Sequence, residues 1–193
     1  MEIGWPFWGG CGMIATGGSG REKEGDIPRG GIFVRRMERE VTGPAEIDRI
    51  LQACGCCRVA FATGGAPYIV PLNFGWRRRE GGLTLYFHGA PQGRKAELAA
   101  QRPLVGFELD CGHQLQEAGE ACGYSYFYES IVGAGRLEPV EDPAEKREAL
   151  GCIMAHYTGR ADWAFPQQAL QQVLVLRLEV SQLSCKAHRP GGR

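Results

Sequence analysis

Six short segments with the alternating pattern of β-strands restrict the fold of this chain more than any other feature. In one of them, Leu83, Leu85 and Phe87 share a face that is expected to be buried. The opposite face is expected to be polar and holds Thr84, Tyr86 and His88. Few helical segments interrupt the strands and no βαβ unit repeats, which favours a closed, mainly antiparallel barrel. Its strands are predicted at about 57–63, 67–74, 83–88, 104–109, 125–138 and 173–180.

Two helices and one hairpin have clear sequence signals. The first helix begins at Pro44, because proline is favoured in a first helical turn. The second begins at Pro143 with Asp142 as its cap, and Gly159 ends it. The arginines at positions 77–79 precede two glycines and are expected to form a solvated hairpin tip. The buried face of the second helix is predicted to hold Leu150, Ile153, Met154 and Tyr157.

Length and charge narrow the classes of partner. The 193 residues, 44% of them hydrophobic, suit one domain, predicted at 34–188 between a flexible Gly-rich extension at 1–33 and a tail at 189–193. The 22 basic and 22 acidic residues balance, so we expect no nucleic-acid partner. No apolar run approaches the roughly 18 residues of a membrane span, and we therefore expect a cytoplasmic protein with no membrane partner.

The eight cysteines allow a metal hypothesis, which the sequence does not favour. The group Cys54, Cys56 and Cys57 lacks the paired C-x-x-C spacing of ordinary zinc sites and fits small core residues better. Cys111, His113 and Cys122 form a second group without a fourth partner. A cysteine-based zinc or redox protein nevertheless remains an alternative.

The segment from Leu83 to Lys95 resembles an anion site. A strand leads through a Gly/Pro loop into a helix that opens with two cations, Arg94 and Lys95. The unpaired N–H groups of a first helical turn would lie near Gly93, and charge-assisted donors beside them would favour a bound phosphate. A helix start with two solvated cations explains the same residues equally well.

Several motifs resemble one superfamily. The segments 68–74, 85–90 and 93–95, together with 35–41 and 128–136, are similar to the FMN-binding split-barrel superfamily, related to pyridoxamine 5′-phosphate oxidase. Within it, the 5-nitroimidazole resistance subfamily is the best match. The resemblance extends from about Val34 to Lys186 and implies an antiparallel, six-stranded Greek-key-type barrel. It also implies a homodimer with one FMN in each of two clefts between the subunits.

The same resemblance implies roles for individual residues. Arg94 and Lys95 would hold the FMN phosphate, with Gly93 allowing close backbone approach, and Ser130 would bond the phosphate or the ribityl chain. His88 would lie near the flavin, face the substrate and donate a proton. The isoalloxazine ring would be lined by Val70, Pro71, Leu72 and Asn73.

Two further residues are weaker candidates. Trp163 follows a helix end and would either close the cofactor cleft or pack in the core. Lys186 matches a family lysine, although a lone lysine is usually only solvated.

The leading functional hypothesis is an FMN-dependent oxidoreductase. A reduced nicotinamide or another donor would reduce the flavin, which would pass electrons to a small acceptor, with a nitroaromatic compound as one candidate. The alternative is a non-catalytic flavin-binding carrier or sensor. Turnover of a reduced nicotinamide with a nitro compound separates the two.

Overall fold

A computed structural model of the chain describes residues 36–80 and 82–191 and is mainly β. The strands are β1 Cys57–Phe61, β2 Tyr68–Leu72, β3 Phe74–Arg79, β4 Gly82–Gly89, β5 Leu104–Gln116, β6 Ser125–Pro139 and β7 Leu174–His188. The α-helices are α1 Pro44–Ala53, α2 Arg94–Ala99, α3 Pro143–Thr158 and α4 Gln167–Gln172. Single 3-10 turns lie at Met37–Arg39 and Ala121–Gly123. The predicted extension at 1–33 lies outside the described residues.

All seven strands pair antiparallel in one sheet, in the order β2-β1-β5-β6-β7-β4-β3. The two edge strands, β2 and β3, are consecutive in the chain and only Asn73 separates them. The sheet therefore has to curl until its edges approach each other, without a ladder between them. The mainly antiparallel split-barrel fold is confirmed, but the sheet is open at this split. It has seven strands instead of six, because the residues after Asn73, partly predicted as a hairpin tip, form the additional strand β3.

The barrel interior is filled by side chains that alternate along the strands. Leu85 and Phe87 of β4 are fully buried, as their pattern predicts, and α1 adds Ile50 and Leu51. A side chain in place of Gly133 would collide with the ring of Phe107, so the packing of β6 against this ring requires glycine at that position. Cys54 and Cys57 also lie in this core, in agreement with their interpretation as small core residues.

A second apolar cluster lies outside the barrel, between β4, β7 and α3. Tyr86, expected on a polar face, is instead 1% exposed, because α3 covers that face of the sheet. Its hydroxyl accepts a hydrogen bond from Arg77, 3.0 Å away. On α3, Ile153 is buried as predicted, whereas Tyr157 is exposed and its hydroxyl accepts from the backbone N–H of Phe74 at 3.2 Å. Ala149 completes the buried face, which Leu150 and Met154 only partly share.

The prediction that the arginines at positions 77–79 form a solvated hairpin tip is wrong. Arg77, Arg78 and Arg79 belong to β3, and each pairs with a helix carboxylate instead of lying free in solvent. Arg78 contacts Asp48 of α1 at 2.6 Å, and Arg79 contacts Glu148 of α3 at 2.8 Å. These ion pairs connect β3 to α1 and α3. The ladders of β5 and β7 also continue beyond the predicted strands, to Gln116 and His188.

Candidate functional site at the split of the sheet

Most of the predicted site residues lie along the split between the two sheet edges. In β2, Leu72 is buried, Val70 is half-buried and Pro71 is exposed. Within the described sheet β2 pairs with β1 alone, so the missing N–H of Pro71 is tolerated at this edge. The unpaired backbone groups along the edge are available to a ligand.

Arg94 connects the start of α2 to the edge strand β2. Its guanidinium lies over the ring of Tyr68, with Cζ 4.5 Å from the ring centroid, the geometry of a cation–π contact. Tyr68 is the first residue of β2. This contact therefore brings the paired cations of α2 to the strand that carries Val70 and Pro71, although Tyr68 had no predicted role.

Lys95 extends back along the end of β4. A methyl group at Gly89 would collide with its Nζ atom, so the ammonium rests on a position that only glycine leaves open. Burial lowers the pKa of Lys95 from its ordinary value. Gly93, the N-cap, has a φ of +98°, which a glycine adopts without strain. Because α2 has only six residues, the affinity of this corner for an anion depends mainly on the two side chains.

His88 and Asn73 lie at the same corner. The β3–β4 ladder ends at the pair of Phe74 with Phe87; Asn73 directly precedes Phe74, and His88 directly follows Phe87. Both side chains are exposed. The predicted proton donor therefore lies at the surface of the split, accessible to a small molecule.

Ser130 lies far from His88 within one chain. His88 pairs with Val175 and Ser130 pairs with Lys186, eleven positions further along β7. At about 3.3 Å per residue this corresponds to about 36 Å of strand. The backbone of Lys186 also forms an isolated antiparallel β-bridge with Glu40. One chain therefore does not bring Ser130 and His88 into a single site.

Trp163 lies in the segment that follows α3. It lines a cavity of about 750 Å³ beside α3, and none of the other predicted site residues lines that cavity. Its indole N–H donates to the carbonyl of Arg160 at 3.1 Å. The structure thus brings together Val70, Pro71, Leu72, Asn73, His88, Gly93, Arg94 and Lys95.

A buried carboxylate that had no predicted role fixes the opposite end of the barrel. Glu129 of β6 is 8% exposed and accepts hydrogen bonds from Arg49 and Arg189. Burial alone would raise the pKa of Glu129, but these two bonds outweigh it and lower the pKa. One feature of the sequence could have predicted this buried carboxylate. Glu129 lies on the same alternating face of the strand as Ile131, which is fully buried.

The second cysteine group has separate contacts. The thiol of Cys111 lies 3.7 Å from a carboxylate oxygen of Glu129, and His113 contacts Asp110 at 2.9 Å. Within residues 36–80 and 82–191, no group of three or more His, Cys, Asp or Glu side chains is placed to hold a metal ion.

In the same described part of the chain, no helix is both long and apolar enough to cross a bilayer.

Similarity to a known family covers the whole of this site. Residues 43–187 match the family described as pyridoxamine 5′-phosphate oxidase. The chain belongs to the pyridoxamine 5′-phosphate oxidase family. This confirms the predicted resemblance, while no curated protein matches the chain.

Solved structures resemble this chain in fold, one of them also in sequence. A protein from Bacteroides thetaiotaomicron VPI-5482, described as a candidate 5-nitroimidazole antibiotic resistance protein, is 33% identical, with a TM-score of 0.65 over 77% of this chain and 86% of that one. The FAD and heme binding protein from Mycobacterium smegmatis is 21% identical, with a TM-score of 0.69 over 80% and 76% of the two chains. A FAD-binding protein from Mesorhizobium loti is 22% identical, with a TM-score of 0.52 over 78% and 98%. The last two share the fold.

Proposed function

We propose that this protein is an FMN-dependent oxidoreductase that reduces a small acceptor and acts as a homodimer. The flavin would lie at the split, with its phosphate at Arg94 and Lys95. The observation that carries the proposal is the convergence of these two cations with the edge strand β2, through the contact between Arg94 and Tyr68.

The surroundings of the two cations support the proposed position of the phosphate. The ring of Tyr68 orients the Arg94 guanidinium, whose planar donors suit a phosphate. Lys95 is partly desolvated, and a phosphate beside it would offset the loss of hydration that lowers its pKa. FMN ends in such a phosphate, so the site would hold its anionic end.

The flavin ring would lie against β2 and Asn73. An edge strand presents backbone N–H and C=O groups that are free to hydrogen bond, and the polar edge of an isoalloxazine carries both donors and acceptors. Pro71 removes one donor from this edge, while Val70 and Leu72 provide apolar surface. Binding there would position the ring beside His88 without opening the core.

A second copy of the chain would complete the cleft. About 36 Å of β7 separates the partners of Ser130 and His88, so Ser130 would contribute to the flavin site of the other subunit. The outer face of the sheet suits such an interface, because Ala60, Gly106 and Ala134 lie side by side and Val132 is 41% exposed. Light scattering should report a dimer, and Val132→Glu should yield monomers with less bound flavin.

His88 would act on the acceptor. The bound flavin would supply the electrons, and His88 would donate a proton to an oxygen of the reduced group. Its exposed position just beyond the Phe74–Phe87 pair leaves room for a small molecule. A nitroaromatic acceptor is favoured by the 33% identity to the candidate 5-nitroimidazole antibiotic resistance protein. A reduced nicotinamide is the proposed donor.

The deciding experiment identifies and reduces the bound cofactor. The purified protein should show flavin absorbance, mass spectrometry should identify FMN, and NADH or NADPH should reduce it in the absence of oxygen. Addition of a nitroimidazole should then restore the oxidised spectrum. If the bound flavin is FAD, the proposed cofactor is wrong. A flavin that stays oxidised with each donor would favour a carrier or sensor. A colourless protein that gains no thermal stability from FMN would overturn the proposal.

A further inference from the structure

Two cysteine thiols from different elements meet at the end of the barrel where Glu129 lies. Cys54 caps the C-terminus of α1 and is 1% exposed, and Cys111 of β5 is partly buried against the same apolar core. The backbone brings them together, because β1 and β5 pair at Cys57 and Leu109, three residues after Cys54 and two residues before Cys111. A side-chain hydrogen bond joins the two thiols. Such a contact is the first requirement for a disulfide, which cannot span separated or diverging cysteines.

The two thiols differ in their surroundings. Burial raises the pKa of both, but the bond between them acts in opposite directions. It raises the pKa of Cys54 further and counteracts the rise at Cys111, so the Cys54 thiol is the donor and the Cys111 sulfur is the acceptor. Cys111 is also the more exposed of the two. Because the thiolate is the reactive form of a cysteine, Cys111 is the sulfur that an oxidant from solvent meets first.

Glu129 holds Cys111 in position from its other side. The Cys111 thiol donates to a carboxylate oxygen of Glu129 at 3.7 Å, and Arg49 and Arg189 fix that carboxylate. Cys111 thus has an acceptor partner on β6 and a donor partner at the end of α1, which leaves its sulfur facing Cys54. The cysteines of the described residues are free thiols, so Cys54 and Cys111 form a reduced pair in this structure.

We infer that Cys54 and Cys111 are a redox modification site, at which a hydroperoxide such as hydrogen peroxide converts the two thiols into a reversible disulfide. The Cys111 sulfur would attack a peroxide oxygen, so that an S–O bond forms, the O–O bond breaks and the released hydroxide takes up the Cys111 proton as water. The Cys54 sulfur would then attack the Cys111 sulfur, and the S–O bond would break as water leaves with the Cys54 proton. The peroxide gains the two electrons that the thiols lose.

The disulfide would tie the end of α1 to β5. The chain between the two cysteines forms β1 to β4 and α2, so the cross-link would close a long loop that carries most of the candidate site. Closing a long loop restricts the unfolded chain and thereby stabilises the folded one. We expect the oxidised protein to have a higher thermal midpoint than the reduced protein. The site is independent of the flavin proposal, because neither cysteine is among the residues assigned to the flavin.

The test exposes the purified protein, with whatever flavin it carries, to hydrogen peroxide and maps the cross-link by mass spectrometry. The chain should lose two hydrogens and link Cys54 to Cys111, and dithiothreitol should reverse both changes. The tryptic peptide of Cys54, residues 50–58, also holds Cys56 and Cys57, so fragmentation of the linked peptide identifies the sulfur. A link from Cys111 to any other cysteine, or no link after peroxide treatment, would overturn the inference.

Cys54→Ala separates the two steps. Alanine fits the space of the removed thiol, and the thermal midpoint of the reduced variant reports whether it is folded. The cross-link should be lost, and the sulfenic acid of Cys111, which no second thiol then consumes, should react with dimedone, a trap for sulfenic acids. Cys122→Ala removes an exposed thiol and is the matched control, which should cross-link like the parent. A cross-link that persists in Cys54→Ala, or the absence of a dimedone adduct at Cys111 in that variant, would refute the assignment.

Discussion

The guanidinium of Arg94 lies over the ring of Tyr68 and ties the first turn of α2 to the edge of the sheet. This contact joins two elements, α2 and β2, between which the chain forms β3 and β4. The affinity for a phosphate at this corner should therefore depend on both residues, one as a donor and the other as its support.

Arg94→Ala should weaken FMN binding about 10- to 100-fold, because it removes a charge-assisted contact to the phosphate worth about 1.5–3 kcal/mol. Flavin titration of the apoprotein measures the change. Arg79→Ala, which removes an exposed arginine of β3, is the matched control and should bind FMN normally. Equal affinities of the two variants would contradict the assignment of Arg94.

Tyr68→Phe should bind FMN like the parent, whereas Tyr68→Leu should bind about two- to fivefold more weakly. Phenylalanine keeps the aromatic face under Arg94, and leucine removes a cation–π contact worth about 0.5–1 kcal/mol at an exposed site. The same flavin titration checks both variants. A loss in Tyr68→Phe as well would indicate that the hydroxyl, not the ring, is important.

Gly89→Ala should lower FMN affinity without unfolding the protein. The added methyl group would displace the Lys95 ammonium, but the end of a lysine side chain moves at little cost. We expect a loss of up to about tenfold in affinity and a change of less than about 1 kcal/mol in stability. Gly64→Ala, where a methyl group meets open space, is the control for the general effect of losing a glycine.

Glu129→Gln should destabilise the fold by about 1–3 kcal/mol near neutral pH, a range kept low because both arginines are partly exposed. Since the folded-state pKa of Glu129 lies below its ordinary value of 4.5, its contribution is present above that pH and is lost as the pH falls further. Chemical denaturation should therefore show parent and variant converging in acid. A constant difference would contradict the ion pairs.

Local patterns predicted six of the seven described strands and both capped helices, because alternation and capping are properties of neighbouring residues. The strand β3 was missed, since its three consecutive arginines resemble a solvated turn and their carboxylate partners lie on α1 and α3. The burial of Tyr86 was also missed. It depends on α3, more than fifty residues later in the chain, packing on that face.

The candidate site could also be predicted only in part from local patterns. Arg94 and Lys95 are adjacent in sequence and motif-like, so a pattern finds them, and family resemblance adds β2 and His88. The contacts of these two cations could not be predicted in the same way. The contact of Arg94 with Tyr68 and that of Lys95 with Gly89 depend on how α2 folds back on the sheet. Trp163 was predicted to close the cofactor cleft or pack in the core because it follows a helix end, and its place beside α3 depends on the conformation of the segment that carries it.

His156 should make the stability of the protein depend on pH in a range where carboxylates do not titrate. Burial lowers its folded-state pKa below the ordinary 6.5, only partly offset by the bond to the Cys54 carbonyl. The unfolded chain then binds a proton more readily, so stability falls as the pH drops below about 6.5, by at most about 1.4 kcal/mol per pH unit. Denaturation between about pH 7 and pH 5 measures this slope. His156→Gln keeps a donor for Cys54 but does not titrate, and it should flatten the slope; an equal slope in the variant would assign the effect to other groups.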